Sequence, residues 1–175
     1  MARAEDKTVL VVDDEPNVRE YLAALLEDAG FNVVKAADGE EALIMIKERK
    51  PDFISLDLIM PKKSGHKLLY ELRKDRELSR IPVLIVTAHA KTDLGKQDLQ
   101  DILDSSVMSG PGTYLEKPVD PQNYVRSIQR TLGVEISPES TEKVGLRDEV
   151  EQSLRGASAA QLRSALAALR KAQKS

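Results

Sequence analysis

Thr8-Val9-Leu10-Val11-Val12-Asp13-Asp14-Glu15 is a short, nearly continuous apolar run that ends in three carboxylates. A run of this kind suits a strand covered on both faces, as in a parallel sheet. Similar runs recur at Phe31 to Ala36, Asp52 to Leu56 and Ile81 to Val86, with a weaker one at Thr113-Tyr114-Leu115. The stretches between them repeat apolar residues at helical spacing. Val18, Tyr21, Leu22, Leu25 and Leu26 precede Gly30, which stands where a C-cap would. Ala42, Leu43 and Ile46 precede Pro51, and Leu68, Leu69 and Leu72 form a third stripe. Leu94, Leu99, Ile102 and Leu103 form a fourth. Tyr124, Val125, Ile128 and Leu132, entered through Pro121, form a fifth. Five strand–helix pairs in strict alternation imply right-handed crossovers and a doubly wound α/β domain around a five-stranded parallel sheet. Such sheets bind ligands beyond the carboxyl ends of their strands, at the topological switch point. The residues that follow each strand are therefore the candidates for function.

The chain has 175 residues, enough for one domain with a short appendage. Its net charge of -3 supplies no basic field toward nucleic acid or anionic lipid. It has no cysteine, which excludes disulfides, thiolate catalysis and cysteine-based zinc sites and points to a reducing cytosol. Residues 1–7 show no apolar stretch after their charges, so they do not read as a signal peptide. No apolar run approaches a membrane span. A soluble, cytoplasmic protein is expected.

Four of the five strands deliver a polar group at their carboxyl end. Asp13, Asp14 and Glu15 follow the first, Asp57 ends the third, Thr87 and Ala88 end the fourth, and Lys117-Pro118 follow the fifth. Converging carboxylates repel one another unless a cation is present. Mg²⁺, a hard ion that prefers oxygen and is often shared with phosphate, relieves that repulsion. A carboxylate beside such an ion can act as a nucleophile toward phosphorus and become an aspartyl phosphate. Charge on the phosphoryl oxygens then needs partners, which an ammonium such as Lys117 and a hydroxyl such as Thr87 can provide.

Four segments carry a family resemblance: Val11-Val12-Asp13-Asp14-Glu15, Asp57-Leu58-Ile59-Met60-Pro61-Lys62-Lys63-Ser64-Gly65, Val86-Thr87-Ala88, and Tyr114-Leu115-Glu116-Lys117-Pro118. In order, each after a strand-like run, they resemble the receiver domain of two-component response regulators over about residues 7 to 133. The resemblance implies a flavodoxin-like, CheY-like sheet of order 2-1-3-4-5. It implies that Asp57 accepts a phosphoryl group from a sensor histidine kinase or phosphotransfer protein. Asp14 would bind Mg²⁺ directly and Asp13 would help hold it, with Asp57 and the backbone carbonyl of Ile59 completing the protein ligands. Lys117 would contact the phosphoryl group and form a cis peptide with Pro118. Thr87 would move toward that group and Tyr114 would swing inward, switching a protein-interaction surface. Ile59 and His89, two positions after Asp57 and Thr87, would flank the path of the hydrolytic water. An apolar Ile59 does not orient water, so slow self-dephosphorylation is expected. His66 and His89 lack metal-ligand spacing and read as surface or rim residues.

Two regions depart from the family pattern. The interval between Thr87 and Lys117 is longer than usual by roughly two helical turns, over residues 91–112. It is either a tolerated loop insertion or a changed partner surface. Beyond 133 the character changes. Residues 134–141 read as a linker and 142–175 as a helical tail. Val144, Val150 and Leu154 lie in a first helical pattern that stops at Gly156. Ser158-Ala159-Ala160-Gln161 is a capping box opening a second, which carries Leu162, Ala165, Leu166, Leu169 and Ala172 on a narrow face. The tail is too short for a winged helix, its charges nearly balance, and no helix shows a basic recognition face, so no nucleic acid is expected. It could fold back on the receiver, pair with a second copy as a homodimer, or dock on a partner. Three functions compete. The leading one is a phospho-accepting signalling module without enzymatic turnover beyond its own phosphorylation and dephosphorylation. The others are a transcription regulator with a minimal DNA-binding tail and an α/β phosphatase. The phosphatase would need a second acid at position 59, where Ile59 stands.

Overall fold

Strand β1 (Thr8–Val12) sends Val9 and Val11 into one apolar cluster and Leu10 and Val12 into another. Side chains alternate across a strand, so a strand apolar at every position must be covered on both faces. The computed structural model describes residues 2–87 and 114–174. Within them, β1, β2 (Asn32–Ala36), β3 (Phe53–Asp57), β4 (Val83–Thr87) and β5 (Tyr114–Glu116) form one sheet of order β2-β1-β3-β4-β5. Every pairing is parallel. The expected doubly wound sheet and its order are thus observed. β2 is an edge strand and is mostly open to solvent rather than covered on both faces.

The helices α1 (Pro16–Asp28), α2 (Gly39–Glu48), α3 (Ser64–Lys74) and α4 (Pro121–Leu132) divide between the two faces. Leu22, Leu25, Tyr124 and Ile128 join the Val9 side, and Ala42, Ile46, Leu68 and Leu72 the Leu10 side. Local chemistry sets their ends. Pro16 occupies the first turn of α1, and Gly30 takes the chain onward at φ 95°. The Asp38 side chain accepts from the Glu41 N–H at 2.8 Å to cap α2, and Asp120 accepts from Asn123 at 2.8 Å to cap α4. Gly133, at φ 62°, closes α4.

Two further helices follow, α5 (Pro138–Arg155) and α6 (Ala159–Gln173). Ser137 caps α5, so residues 138–141, read as linker, are its first turn. Val144 of α5 is 2% exposed and belongs to the cluster of α1 and α4. Arg147 bonds Asp28, and Tyr21 Oη donates to Asp148 at 3.2 Å. Of the three fates open to the tail, α5 therefore takes the first and folds back on the receiver. Val150 and Leu154 do not share the Val144 face; they are exposed. Ser158 and Gln161 form the expected capping box of α6. At the other end of the chain, Ala2 bridges to Val134 and Ala4 packs on the same core, so residues before 7 also lie on the receiver. The fourth apolar stripe, Ala88, His89 and the extended interval 91–112 lie outside the described residues. Among the described residues, no helix is long and apolar enough to cross a membrane.

Candidate functional site

The site forms where β1 and β3 run side by side while the chain connects them through β2 on the far edge. This is the switch point, and Asp13, Asp14 and Asp57 stand at its mouth. One carboxylate oxygen from each lies within 4.8 Å of the other two. Asp13 and Asp57 are 1% and 5% exposed, while Asp14 is half-buried. Asp57 is the last residue of β3, and the Ile59 N–H donates to its Oδ1 at 3.1 Å. Asp13 Oδ1 accepts from the Glu15 N–H at 2.9 Å. Arg19 of α1 donates to the Asp13 carbonyl at 2.8 Å, a tie that the helical stripe gave no reason to expect.

Lys117 binds the cluster from the β5 side. Its Nζ donates to Asp13 Oδ2 at 2.9 Å and lies 3.5 Å from Asp57 Oδ2 and 3.9 Å from Glu15 Oε1. The peptide to Pro118 is cis, as the resemblance implies. Burial works against the Lys117 charge, but the Asp13 hydrogen bond and the charges of Asp57, Asp13 and Glu15 outweigh it and raise the ammonium above its ordinary value. Burial pushes the Asp57 carboxyl up to about 7. Lys117 and the Ile59 N–H pull it down, and the carboxylates of Asp13 and Asp14 push it further up. Asp57 is therefore a carboxylate that is costly to ionise without a cation beside it.

The donor set fits a hard divalent ion. Three carboxylates, two of them nearly buried, converge, and among the described residues a single ammonium balances them. Thr87 ends β4 opposite Glu116, and Tyr114 begins β5 opposite Ile85, so the backbone sets both on strands next to the site. Their side chains lie outside the described residues. Ile59 sits half-buried two residues beyond β3, and His66 is half-buried on α3.

Three features escape a reading of the sequence. Tyr124 Oη donates to Ser55 Oγ at 2.8 Å inside the core, tying α4 to β3 two residues before Asp57. Gly65 brings α3 against the Asp57 loop: a Cβ there would stand 2.7 Å from the carbonyl oxygens of Asp57 and Leu58. Beside Lys117 lies an open groove of about 690 Å³, lined by Glu15, Val18 and Tyr21 and by Asp148, Gln152 and Arg155 of α5.

The chain belongs to the response regulator receiver domain family, whose model matches residues 9–129. It is 35% identical over 126 residues to the phosphate regulon transcriptional regulatory protein PhoB of Pseudomonas aeruginosa, covering 72% of this chain and 52% of that one. It is 35% identical over 127 residues to protein PilH of the same organism, covering 71% of this chain and 96% of PilH. The chain thus spans about half the length of some curated relatives and nearly all of another. Among solved structures, the chemotaxis response regulator CheY4 of Vibrio cholerae aligns with a TM-score of 0.58 at 30% identity, covering 71% of this chain and 97% of CheY4. The receiver domain of sensor histidine kinase PA1611 from P. aeruginosa aligns with a TM-score of 0.61 at 28% identity, covering 73% of this chain and 98% of that domain. That structure has a magnesium ion coordinated in its active-site cleft.

Proposed function

We propose that this chain is a phospho-accepting signalling module in which Asp57 takes a phosphoryl group from a histidine kinase or phosphotransfer protein. The observation that carries the reading is the convergence of Asp13, Asp14, Asp57 and Lys117 at the switch point. Asp14, Asp13, Asp57 and the Ile59 carbonyl would hold Mg²⁺. When bound, the ion offsets carboxylate repulsion and the charge of the incoming phosphoryl oxygens.

The residues of the chain supply the rest. Asp57 Oδ attacks phosphorus, the P–O or P–N bond to the donor breaks, and the donor leaves with the electron pair. Lys117, held above its ordinary basicity, remains an ammonium and exchanges carboxylate partners for the phosphoryl oxygens. Thr87 and Tyr114 act as the switch pair. The chemistry ends with gain and loss of this group, and the output is a change in protein contacts in the cytosol. The groove beside Lys117 supports a protein donor, because α5 forms one wall of the approach. No second acid stands at Ile59, which leaves the phosphatase reading without its proton donor.

The test is intact-mass measurement after incubation with acetyl phosphate and Mg²⁺. A gain of one phosphoryl group, lost in Asp57→Asn and in excess chelator, is expected. Unchanged labelling of Asp57→Asn would overturn the assignment.

A further inference from the structure

Helix α6 spans 15 residues and has no buried residue, yet it presents Leu162, Leu166 and Leu169, 41%, 47% and 60% exposed, along one face. Helix α5 holds the receiver with Val144 and turns Leu146, Val150 and Leu154 to solvent, 53%, 54% and 38% exposed. An isolated helix of α6's length is marginal in water, so its apolar stripe calls for a cover.

The charges beside the stripes indicate the cover. With about 100° between successive residues, Glu142 and Glu149 lie along one edge of the α5 stripe. Arg163 and Arg170 lie along the edge of opposite hand on α6. Each pair is two helical turns apart, and among the described residues none of the four side chains is in an ion pair. Setting Leu146 beside Leu162 and Val150 beside Leu166 brings Ser153 and Leu154 to Leu169. The same register places Glu142 toward Arg163 and Glu149 toward Arg170. The other charges near the α5 stripe are already engaged: Lys143 pairs with Glu139 at 3.1 Å and Arg147 with Asp28. Helix α6 has no acidic residue of its own.

Edges of opposite hand meet only when two helices run parallel. Within one chain, Gly156-Ala157-Ser158 is the whole link between α5 and α6, and so short a link can pack them side by side only as an antiparallel hairpin. That hairpin would turn Glu142 and Glu149 toward the alanine edge of α6, away from the arginines. We propose that α6 pairs in parallel with α5 of a second copy of this chain, and that the reciprocal exchange joins two receivers into a dimer.

Light scattering on the full chain tests this with two charge-reversed variants, E142R/E149R and R163E/R170E. The unsubstituted chain is expected at twice the 19.4 kDa monomer mass. Each variant alone should fall toward the monomer mass, and an equimolar mixture should recover the dimer, because each supplies the charge the other lacks. All four positions are exposed, so the receiver should stay folded, checked by circular dichroism. A monomeric parent, a dimer insensitive to both variants, or a mixture that stays monomeric would each overturn the proposal. The first result would indicate an intramolecular hairpin.

Discussion

Asp57 is a carboxylate placed where ionisation is costly, and the cost is measurable. Its folded value of about 7 exceeds the ordinary 3.8, so between those pH values the folded chain binds more protons than the unfolded one. Stability of the metal-free protein must then fall as pH rises through that window. Asp57→Asn removes the charge. We expect it to stabilise the chelated protein by roughly 2 kcal/mol above pH 7, with the difference vanishing below about pH 4. Urea unfolding in chelator at several pH values measures this; an equal effect at pH 4 and pH 8 would show that ionisation is not the cause. Ile59 makes a second prediction at this scale. An apolar side chain cannot orient the hydrolytic water, so the phosphorylated chain should persist well beyond seconds, and Ile59→Asn should shorten that lifetime. A half-life of seconds in the unsubstituted chain would contradict it.

At the scale of elements, α3 and α5 approach the site in different ways. The first turn of α3 rests on the Asp57 loop through Gly65, where backbone oxygens stand too close for a Cβ. Gly65→Ala must push the loop or the helix aside. It should cost roughly 1–3 kcal/mol and slow phosphorylation by acetyl phosphate. Normal labelling at full stability would show that the approach is not as close as it stands here. Helix α5 contributes Asp148, Gln152 and Arg155 to the groove beside Lys117. Reversing two of those charges, in Asp148→Lys with Arg155→Glu, should alter the rate from a protein donor while leaving the rate from acetyl phosphate unchanged. Equal changes with both donors would place the effect at Asp57 itself.

For the whole molecule, α5 is part of the receiver's core. Val144 shares one apolar cluster with Val9, Leu25, Tyr124 and Val134, and Ala2 and Ala4 pack on the same side. Unfolding should therefore remove α5 and the sheet together. Val144→Ala should lower the stability of the entire domain by roughly 1–3 kcal/mol, with sheet and helix signals moving in one transition. A separate early loss of helix signal would mean that α5 is docked loosely. Helix α6 stands apart from this unit among the described residues, with its stripe exposed.

The sequence alone determined the sheet, its direction and the identity of the acidic cluster. Runs such as Val9 to Val12 and Phe53 to Leu56 are short, nearly continuous in apolar residues and separated by helical spacing, and a parallel sheet covered on both faces buries them. Strand ends are local events, so Asp13, Asp57 and Lys117 were legible as strand-end residues before any contact was known. Only the tertiary structure decided how those groups share charge, with Lys117 nearer Asp13 than Asp57 and the Asp57 carboxyl driven up to about 7 by burial. It alone separated Val144 from Val150 and Leu154, because six or ten residues along a helix turn the chain to a different side. Which side faces the receiver depends on Asp28 and Tyr21, more than a hundred residues away. Periodicity records that a helix has an apolar face; the element that covers it is fixed by the packing of distant parts of the chain.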